Sequence, residues 1–129
     1  MSTKTILVDA VFCLVDERGS ITAPLYDLLE KFPNPKVVLT GANDDQMQAF
    51  KLHELPYPVF TLSHDPEKTD PAYYRTFLSE YTLSTEDVVY IEHAPEAVAS
   101  ARSLGIPTFR YESESPDLDA LRTFLAAAL

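Results

Sequence analysis

The chain has 129 residues, enough for one domain with a substantial hydrophobic core. Hydrophobic residues make up 46% of it and charged residues 23%, and no apolar run approaches the roughly 20 residues that cross a membrane. The formal net charge of −10 predicts repulsion from nucleic acids and from anionic membranes, so neither is expected as a partner.

Cysteine content and the N-terminus bear on where the protein is found. The single cysteine, Cys13, has no second cysteine with which to form an internal disulfide, and this favours a reducing compartment. The first residues run directly into an apolar segment, so no signal peptide is expected. We therefore expect a cytoplasmic protein.

The first elements along the chain are a strand, a hairpin and a helix. Residues 6–8 form an apolar run that is too short for an amphipathic helix and predicts a buried strand. The polar turn at residues 16–19 predicts a small hairpin. Thr22 is a plausible N-cap and Pro24 fits the first turn of a helix, whose apolar residues recur at helical spacing until Pro33.

The rest of the chain repeats this alternation of strand and helix. The later helices begin near Asn43 or Asp44, near Pro71, near Pro95 and before Leu118. Further strands are predicted at residues 37–39, 59–62, 88–91 and 107–111. Five strands alternating with helices predict a three-layer, doubly wound α/β fold with a parallel sheet, in a single domain that spans residues 1–129.

Polar residues follow the predicted strands at the points where ligands bind. Right-handed crossovers place every strand-to-helix loop of such a sheet at one edge, outside the carboxyl ends of the strands. That edge gathers Asp9, Thr40, the loop at residues 63–68 and the pair Glu92-His93. The topology therefore predicts one site built from four loops.

The identity and order of these residues resemble the four motifs of the haloacid dehalogenase superfamily, whose members are mostly phosphatases. Asp9 stands at the position of the nucleophile, and Thr40 at the hydroxyl residue that holds the phosphoryl group. Lys68 stands at the lysine of the third motif. The resemblance implies a sheet of order 5-4-1-2-3 with Asp9, Thr40 and Lys68 as catalytic residues. The further residues that it places in the lining of the site are Val11, Gly41, Glu92 and His93.

The chain also departs from these motifs. The second aspartate of the first motif, the general acid and base of the family, is Val11 here, and the Gly-Thr pair after it is Phe12-Cys13. The carboxylate that binds Mg²⁺ in the family is His93, and Ala97 replaces a polar residue that supports the metal. Imidazole is a poor ligand for a hard cation that prefers oxygen. We expect no cofactor, and no metal ligand is assigned.

These departures predict a catalytically impaired, pseudoenzyme-like member of the superfamily. Its function would be that of a binding or regulatory module, with a remnant phosphate site for a small anion or a protein partner. The chain between Asp9 and Thr40 is used by the hairpin and one helix, so no cap domain is expected. Whether the chain is an enzyme stays open, and the alternative is a weak phosphatase in which Asp9 attacks phosphorus with help from Lys68.

Other interpretations remain open at this stage. Metal-independent dehalogenation is one, although the absence of a cap makes desolvation of the nucleophile difficult. A structural or homodimeric domain is another, with the apolar segment 125–129 as the contact. Asp9, Glu92 and His93 offer donors for a transition metal in place of Mg²⁺.

Single residues also have plainer interpretations. Asp9 would be a strand-end carboxylate that caps backbone donors. His64 would be an ordinary loop residue. Cys13 has apolar neighbours, which favours an inert buried thiol over a nucleophile.

Overall fold

A central parallel sheet of five strands organises the molecule, whose computed structural model describes residues 3–129. The strands are β1 (Thr5–Asp9), β2 (Lys36–Thr40), β3 (Val59–Thr61), β4 (Val88–Glu92) and β5 (Thr108–Arg110). Their order across the sheet is β3-β2-β1-β4-β5, and each neighbouring pair is parallel. This is the predicted order counted from the opposite edge, so the predicted α/β fold is confirmed.

Five helices cover the two faces of the sheet. They are α1 (Ala23–Glu30), α2 (Asp44–Ala49), α3 (Ala72–Glu80), α4 (Pro95–Ser103) and α5 (Leu118–Ala128), with 3₁₀ turns at Leu52–Glu54 and Thr85–Asp87. Helices α1, α2 and α5 pack on one face, and α3 and α4 on the other. None of the helices in the described chain has the length and apolar character needed to cross a membrane.

Strand β1 shows why both faces must be covered. Ile6 and Val8 lie in the core on the α1 side, while Leu7 lies in the core on the α3 side, because successive side chains of a strand point to opposite faces. All five residues of β1 are buried. Leu125 of α5 is also fully buried in the α1-side core, so this part of the apolar C-terminal segment packs inside the domain.

Two helix starts illustrate how local sequence sets the boundaries. The Asn43 side chain accepts a hydrogen bond from the backbone N–H of Gln46 at 2.9 Å, and the Gln46 side chain accepts one from the N–H of Asn43 at 3.0 Å. Thr22 occupies the N-cap position of α1 as predicted, but its hydroxyl makes no cap bond. It donates instead to the carbonyl of Leu14 at 2.7 Å, which ties α1 to the loop after β1.

A tight turn follows Asp9 and shapes the edge of the sheet. The backbone N–H of Leu14 donates to the carbonyl of Asp9 at 3.2 Å. Phe12 adopts a left-handed φ of 70°, an uncommon conformation for a bulky residue, and its side chain is 43% exposed. Val15 then pairs with Ile21 in a single antiparallel bridge, which confirms the predicted hairpin in a short form.

Candidate functional site

A cleft of about 400 Å³ opens at the carboxyl ends of the strands. Its walls come from the loops that follow β1, β2, β3 and β4. The structure therefore brings together every site residue named from the sequence, as the topology required. Those residues are Asp9, Val11, Thr40, Gly41, Lys68, Glu92 and His93.

Asp9 is the residue on which the site is built. It ends the central strand, is only 5% exposed, and has both carboxylate oxygens occupied. Oδ1 accepts a hydrogen bond from Nζ of Lys68 at 2.6 Å, and Oδ2 is hydrogen-bonded to Nδ1 of His93. The carboxylate is therefore held between two basic side chains.

Lys68 reaches Asp9 from the loop between β3 and α3. Its Nζ also donates to Oε1 of Glu92 at 2.9 Å. Burial acts to lower the pKa of this lysine, but the negative charges of Asp9 and Glu92 prevail and raise the pKa well above its usual value. The ammonium group is thus a fixed positive charge shared by two carboxylates.

Glu92 ends β4, is only 1% exposed, and accepts hydrogen bonds on both carboxylate oxygens. Oε1 accepts from Lys68 and from the Tyr90 hydroxyl at 2.5 Å. Oε2 accepts from the backbone N–H groups of His93 at 2.9 Å and Ala94 at 3.1 Å. Burial alone would raise the pKa of Glu92, but the charge of Lys68 and the hydrogen-bonding side chains of His93, Asp9 and Tyr90 hold it well below the usual value. Glu92 is therefore an ionised anchor that fixes Lys68 and the start of α4.

His93 lies at the outer side of Asp9. Its Nδ1 atom bonds Oδ2 of Asp9 and lies 3.1 Å from Oε2 of Glu92. These two hydrogen bonds raise the pKa of His93 to about 9, so the ring is an imidazolium at neutral pH. The ring of Phe12 contacts it edge-on, with ring centroids 5.3 Å apart.

The electrostatics of the site follow from these four side chains. Burial raises the pKa of Asp9, the charge of Glu92 adds to the rise, and Lys68 and the His93 hydrogen bond oppose it. With Asp9 and Glu92 ionised and Lys68 and His93 protonated, two negative and two positive charges cancel. The cluster is thus neutral and internally paired.

The opposite wall of the cleft is built by the loops after β2 and β3. Thr40 ends β2, is buried, and accepts a hydrogen bond from the backbone N–H of Ala42 at 3.1 Å. A Cβ atom at Gly41 would lie 3.1 Å from Nδ1 of His64, so glycine allows the close packing of that ring on the backbone. Nε2 of His64 also bonds the Gln46 side chain at 2.6 Å.

Sequence reasoning missed part of this wall and part of the support behind it. His64, interpreted as an ordinary loop residue, lines the cleft together with Gln46 and Phe50. Their positions in the sequence could have indicated this, since all three residues lie in the loops and the helix that follow strand ends. Tyr90, which supports Glu92 from inside the sheet, looks like any other strand residue in the sequence.

A second arrangement of donor atoms lies beneath Asp9. Cys13 is fully buried, as expected for an inert thiol, and burial raises its pKa well above the usual value. Ligand atoms of Asp9, Cys13 and His93 all lie within 4.8 Å of one another. Among residues 3–129, these three side chains are close enough together to share a metal ion.

Several solved structures have the same architecture as this chain. A haloacid dehalogenase family enzyme from Bacteroides thetaiotaomicron, in complex with magnesium and inorganic phosphate, matches with a TM-score of 0.71 and 14% identity, over 93% of this chain and 99% of that chain. This chain has the same fold as that haloacid dehalogenase family enzyme.

Two further solved structures show the same likeness of fold. The core domain of a putative phosphoglycolate phosphatase from Streptococcus pneumoniae matches with a TM-score of 0.62 and 17% identity, over 97% of each chain. A superfamily hydrolase from Ehrlichia chaffeensis matches with a TM-score of 0.64 and 10% identity, over 99% of this chain and 98% of that chain. No family model matches the sequence. No curated protein matches it either.

Proposed function

We propose that this chain is a haloacid dehalogenase-like binding module that has no Mg²⁺-dependent phosphatase activity. The observation that carries the proposal is the hydrogen bond between His93 and Asp9. It takes the carboxylate oxygen that Lys68 leaves free, and it supplies the neutralising charge that a metal would otherwise provide. The cleft then serves to hold a small ligand.

The donor set of the site does not fit Mg²⁺, which keeps near-ideal octahedral geometry with oxygen ligands. Both oxygens of Asp9 and both oxygens of Glu92 already accept hydrogen bonds. Val11 offers no carboxylate, and His93 offers a nitrogen. Mg²⁺ between these groups would have to displace the imidazolium from the buried carboxylate of Asp9 without gaining the oxygen ligands that it prefers.

The absence of a general acid and base also argues against phosphatase activity. Hydrolysis of a phosphate ester needs a proton for the leaving oxygen, and positioned proton transfer typically contributes a factor of roughly 100 to 10,000 in rate. Val11 occupies the position that would supply it and carries no proton. Asp9 is also a weaker nucleophile when both of its oxygens are engaged.

The polar groups that remain available suggest the class of ligand. A lysine ammonium has three N–H donors, and Lys68 gives two of them to Asp9 and Glu92. Within residues 3–129, Nε2 of His93 has no hydrogen-bond partner, and the Thr40 hydroxyl acts only as an acceptor. Three groups that line one cleft can therefore each donate a further hydrogen bond, which suits an oxyanion such as phosphate or a carboxylate.

Two measurements test the proposal. Turnover of an aryl phosphate should be at background level and should not respond to Mg²⁺. Inorganic phosphate, titrated in metal-free buffer at constant ionic strength, should shift the amide NMR signals around Thr40, Gly41 and His93. Mg²⁺-stimulated turnover that disappears in Asp9→Asn would overturn the proposal. Amide shifts no larger with phosphate than with chloride would overturn the assignment of ligand class.

A weak hydrolase is the second candidate. The arrangement that favours it is Asp9 at a strand end, with Lys68 at 2.6 Å and Thr40 on the same cleft. Slow, metal-independent turnover that is lost in Asp9→Asn would support this function. The same turnover in parent and variant would assign it to a contaminant.

A further inference from the structure

The cluster of Asp9, Cys13 and His93 has donor atoms of three different kinds. A carboxylate oxygen, a thiol sulfur and an imidazole nitrogen lie within 4.8 Å of one another at the end of the central strand. Cys13 is brought there by the turn after β1, in which its backbone N–H donates to the carbonyl of Ala10 at 3.1 Å. His93 comes from the loop after the neighbouring strand β4, so two separate loops contribute to the cluster.

The spacing of these atoms is close to that of a tetrahedral metal site. Bonds of about 2.3 Å from zinc to sulfur and about 2.0 Å to nitrogen or oxygen place ligand atoms about 3.5 Å apart. A separation of 4.8 Å would therefore shorten by about 1.3 Å, while Nδ1 of His93 and Oδ2 of Asp9, which are hydrogen-bonded, would move apart to admit the ion. The side chain of His93 is 32% exposed, so its ring has room to move when an ion binds.

The chemistry of the donors selects the class of ion. Thiolate and imidazole suit zinc and its neighbours among the transition metals, whereas Mg²⁺ prefers oxygen. Sulfur and nitrogen stand here at two of the positions where the chain departs from the motifs that it resembles, Cys13 and His93. The changes that disfavour Mg²⁺ thus assemble a softer set of donors around the same aspartate.

The surrounding contacts favour this arrangement. Lys68 holds Oδ1 of Asp9 at 2.6 Å, which leaves Oδ2 as the oxygen that faces His93. Outer-shell hydrogen bonds of this kind orient a ligating carboxylate. An ion would take the place of the proton shared by Nδ1 of His93 and Oδ2 of Asp9, and the thiol of Cys13 would lose its proton on binding.

We propose that Asp9, Cys13 and His93 bind a transition-metal ion of the zinc class, with a fourth position open to the cleft. Three protein ligands and one open position are the usual composition of a zinc site that also binds an exogenous ligand. This site goes beyond the binding function proposed above, which the metal-free protein would perform.

Cobalt(II) is the probe that tests this site, because a thiolate bound to it gives a charge-transfer absorption that oxygen ligands do not give. Metal-free parent protein should bind one equivalent of Co²⁺ with that absorption, and Zn²⁺ should abolish it by displacement. Mg²⁺ in large excess should not displace Co²⁺. Absence of the charge-transfer band when Co²⁺ is added to the parent protein would overturn the proposal.

Variants assign the ligands. Cys13→Ala should lose the charge-transfer band. The affinity of His93→Gln for Co²⁺ should fall by more than the roughly 10-fold to 100-fold that loss of an outer-shell partner typically costs. His64→Ala is the matched control, since His64 lines the same cleft but lies outside the cluster, and it should bind like the parent. Thermal unfolding checks that each variant is folded.

Two outcomes would contradict the assignment. Equal Co²⁺ affinity in the parent and in folded His93→Gln would exclude the imidazole as a ligand. Loss of binding in His64→Ala would move the site to the other wall of the cleft. Neither outcome depends on phosphatase turnover or on phosphate binding, so a failure here is distinguishable from a failure of the proposed function.

Discussion

Nδ1 of His93 is hydrogen-bonded to Oδ2 of Asp9, across 84 positions of sequence and between two neighbouring strands. The contact puts a positive ring against the one oxygen of this buried carboxylate that Lys68 does not hold. Asp9 is only 5% exposed, and a buried charge is costly unless it keeps its partners. The site therefore depends on its own side chains for neutrality.

Removal of Lys68 should be strongly destabilising. Its ammonium is buried between Asp9 and Glu92, and Lys68→Met would leave two carboxylates close together without their shared cation. Breaking a buried pair in this way costs about 3–5 kcal/mol of the free energy of unfolding, a decrease in melting temperature of more than about 10 °C. Urea unfolding at pH 7 measures this loss of unfolding free energy.

An exposed lysine provides the control for that experiment. Lys31 is exposed at the end of α1, and Lys31→Met should change the free energy of unfolding by less than about 0.5 kcal/mol. In a double-mutant cycle, Asp9→Asn should reduce the cost of Lys68→Met, because one of the two unpaired charges is then absent. Equal costs in both backgrounds would show that Lys68 and Asp9 do not interact.

Stability should depend on pH through His93. Its pKa in the folded protein is raised to about 9, above the value of about 6.5 that an unfolded chain gives to histidine. The stabilisation from the imidazolium is thus fully present below pH ~6.5 and is lost as the pH rises through about 9. The difference in unfolding free energy between parent and His93→Gln should shrink over this window.

NMR provides a direct check of the same group. The imidazole signals of His93, assigned by comparison with His93→Gln, should titrate with a midpoint near 9. A midpoint at or below the ordinary value of about 6.5 would mean that Asp9 does not hold the ring in its charged form.

The thiol of Cys13 should be unreactive in the native protein. It is fully buried with a raised pKa, and only an exposed thiolate is alkylated quickly. Alkylation by iodoacetamide should be roughly 100-fold slower than in urea, the factor for a local opening that costs about 3 kcal/mol. Similar rates in both solvents would contradict the burial of this side chain.

Topology predicted the parallel sheet and the meeting of the strand-end loops, while the strand order and the choice of Lys68 came from the resemblance to known motifs. Alternation of strands and helices sets the sheet, and right-handed crossovers bring the strand-end loops to one edge. The departures at Val11 and His93 were also visible in the sequence. No rotamer was needed for any of these inferences.

Contacts that depend on side-chain direction were not predictable in this way. The bond from His93 to Asp9 depends on the rotation of one ring, and the packing of His64 depends on the missing Cβ of Gly41. Thr22 was expected to cap α1 with its hydroxyl. It bonds the carbonyls of Cys13 and Leu14 instead, because the turn after β1 presents those carbonyls to it.

Mg²⁺ binding by a repaired site tests the central claim most directly. Val11→Asp with His93→Asp restores the carboxylates that the superfamily motifs have at these positions and removes the imidazolium from Asp9. Without metal, this double variant should be less stable than the parent, because two new carboxylates then crowd Asp9 and Glu92. Mg²⁺ at ten times its dissociation constant should restore about 1.4 kcal/mol, a melting shift of a few degrees.

The control for that repair is Val11→Asp alone, which retains the contact of His93 with Asp9. Thermal unfolding of parent, single and double variants is followed with and without Mg²⁺ at matched ionic strength. We expect a Mg²⁺-dependent increase in melting temperature in the double variant and none in the parent. An equal increase in the parent would show that the native site binds Mg²⁺ and that His93 does not replace the metal.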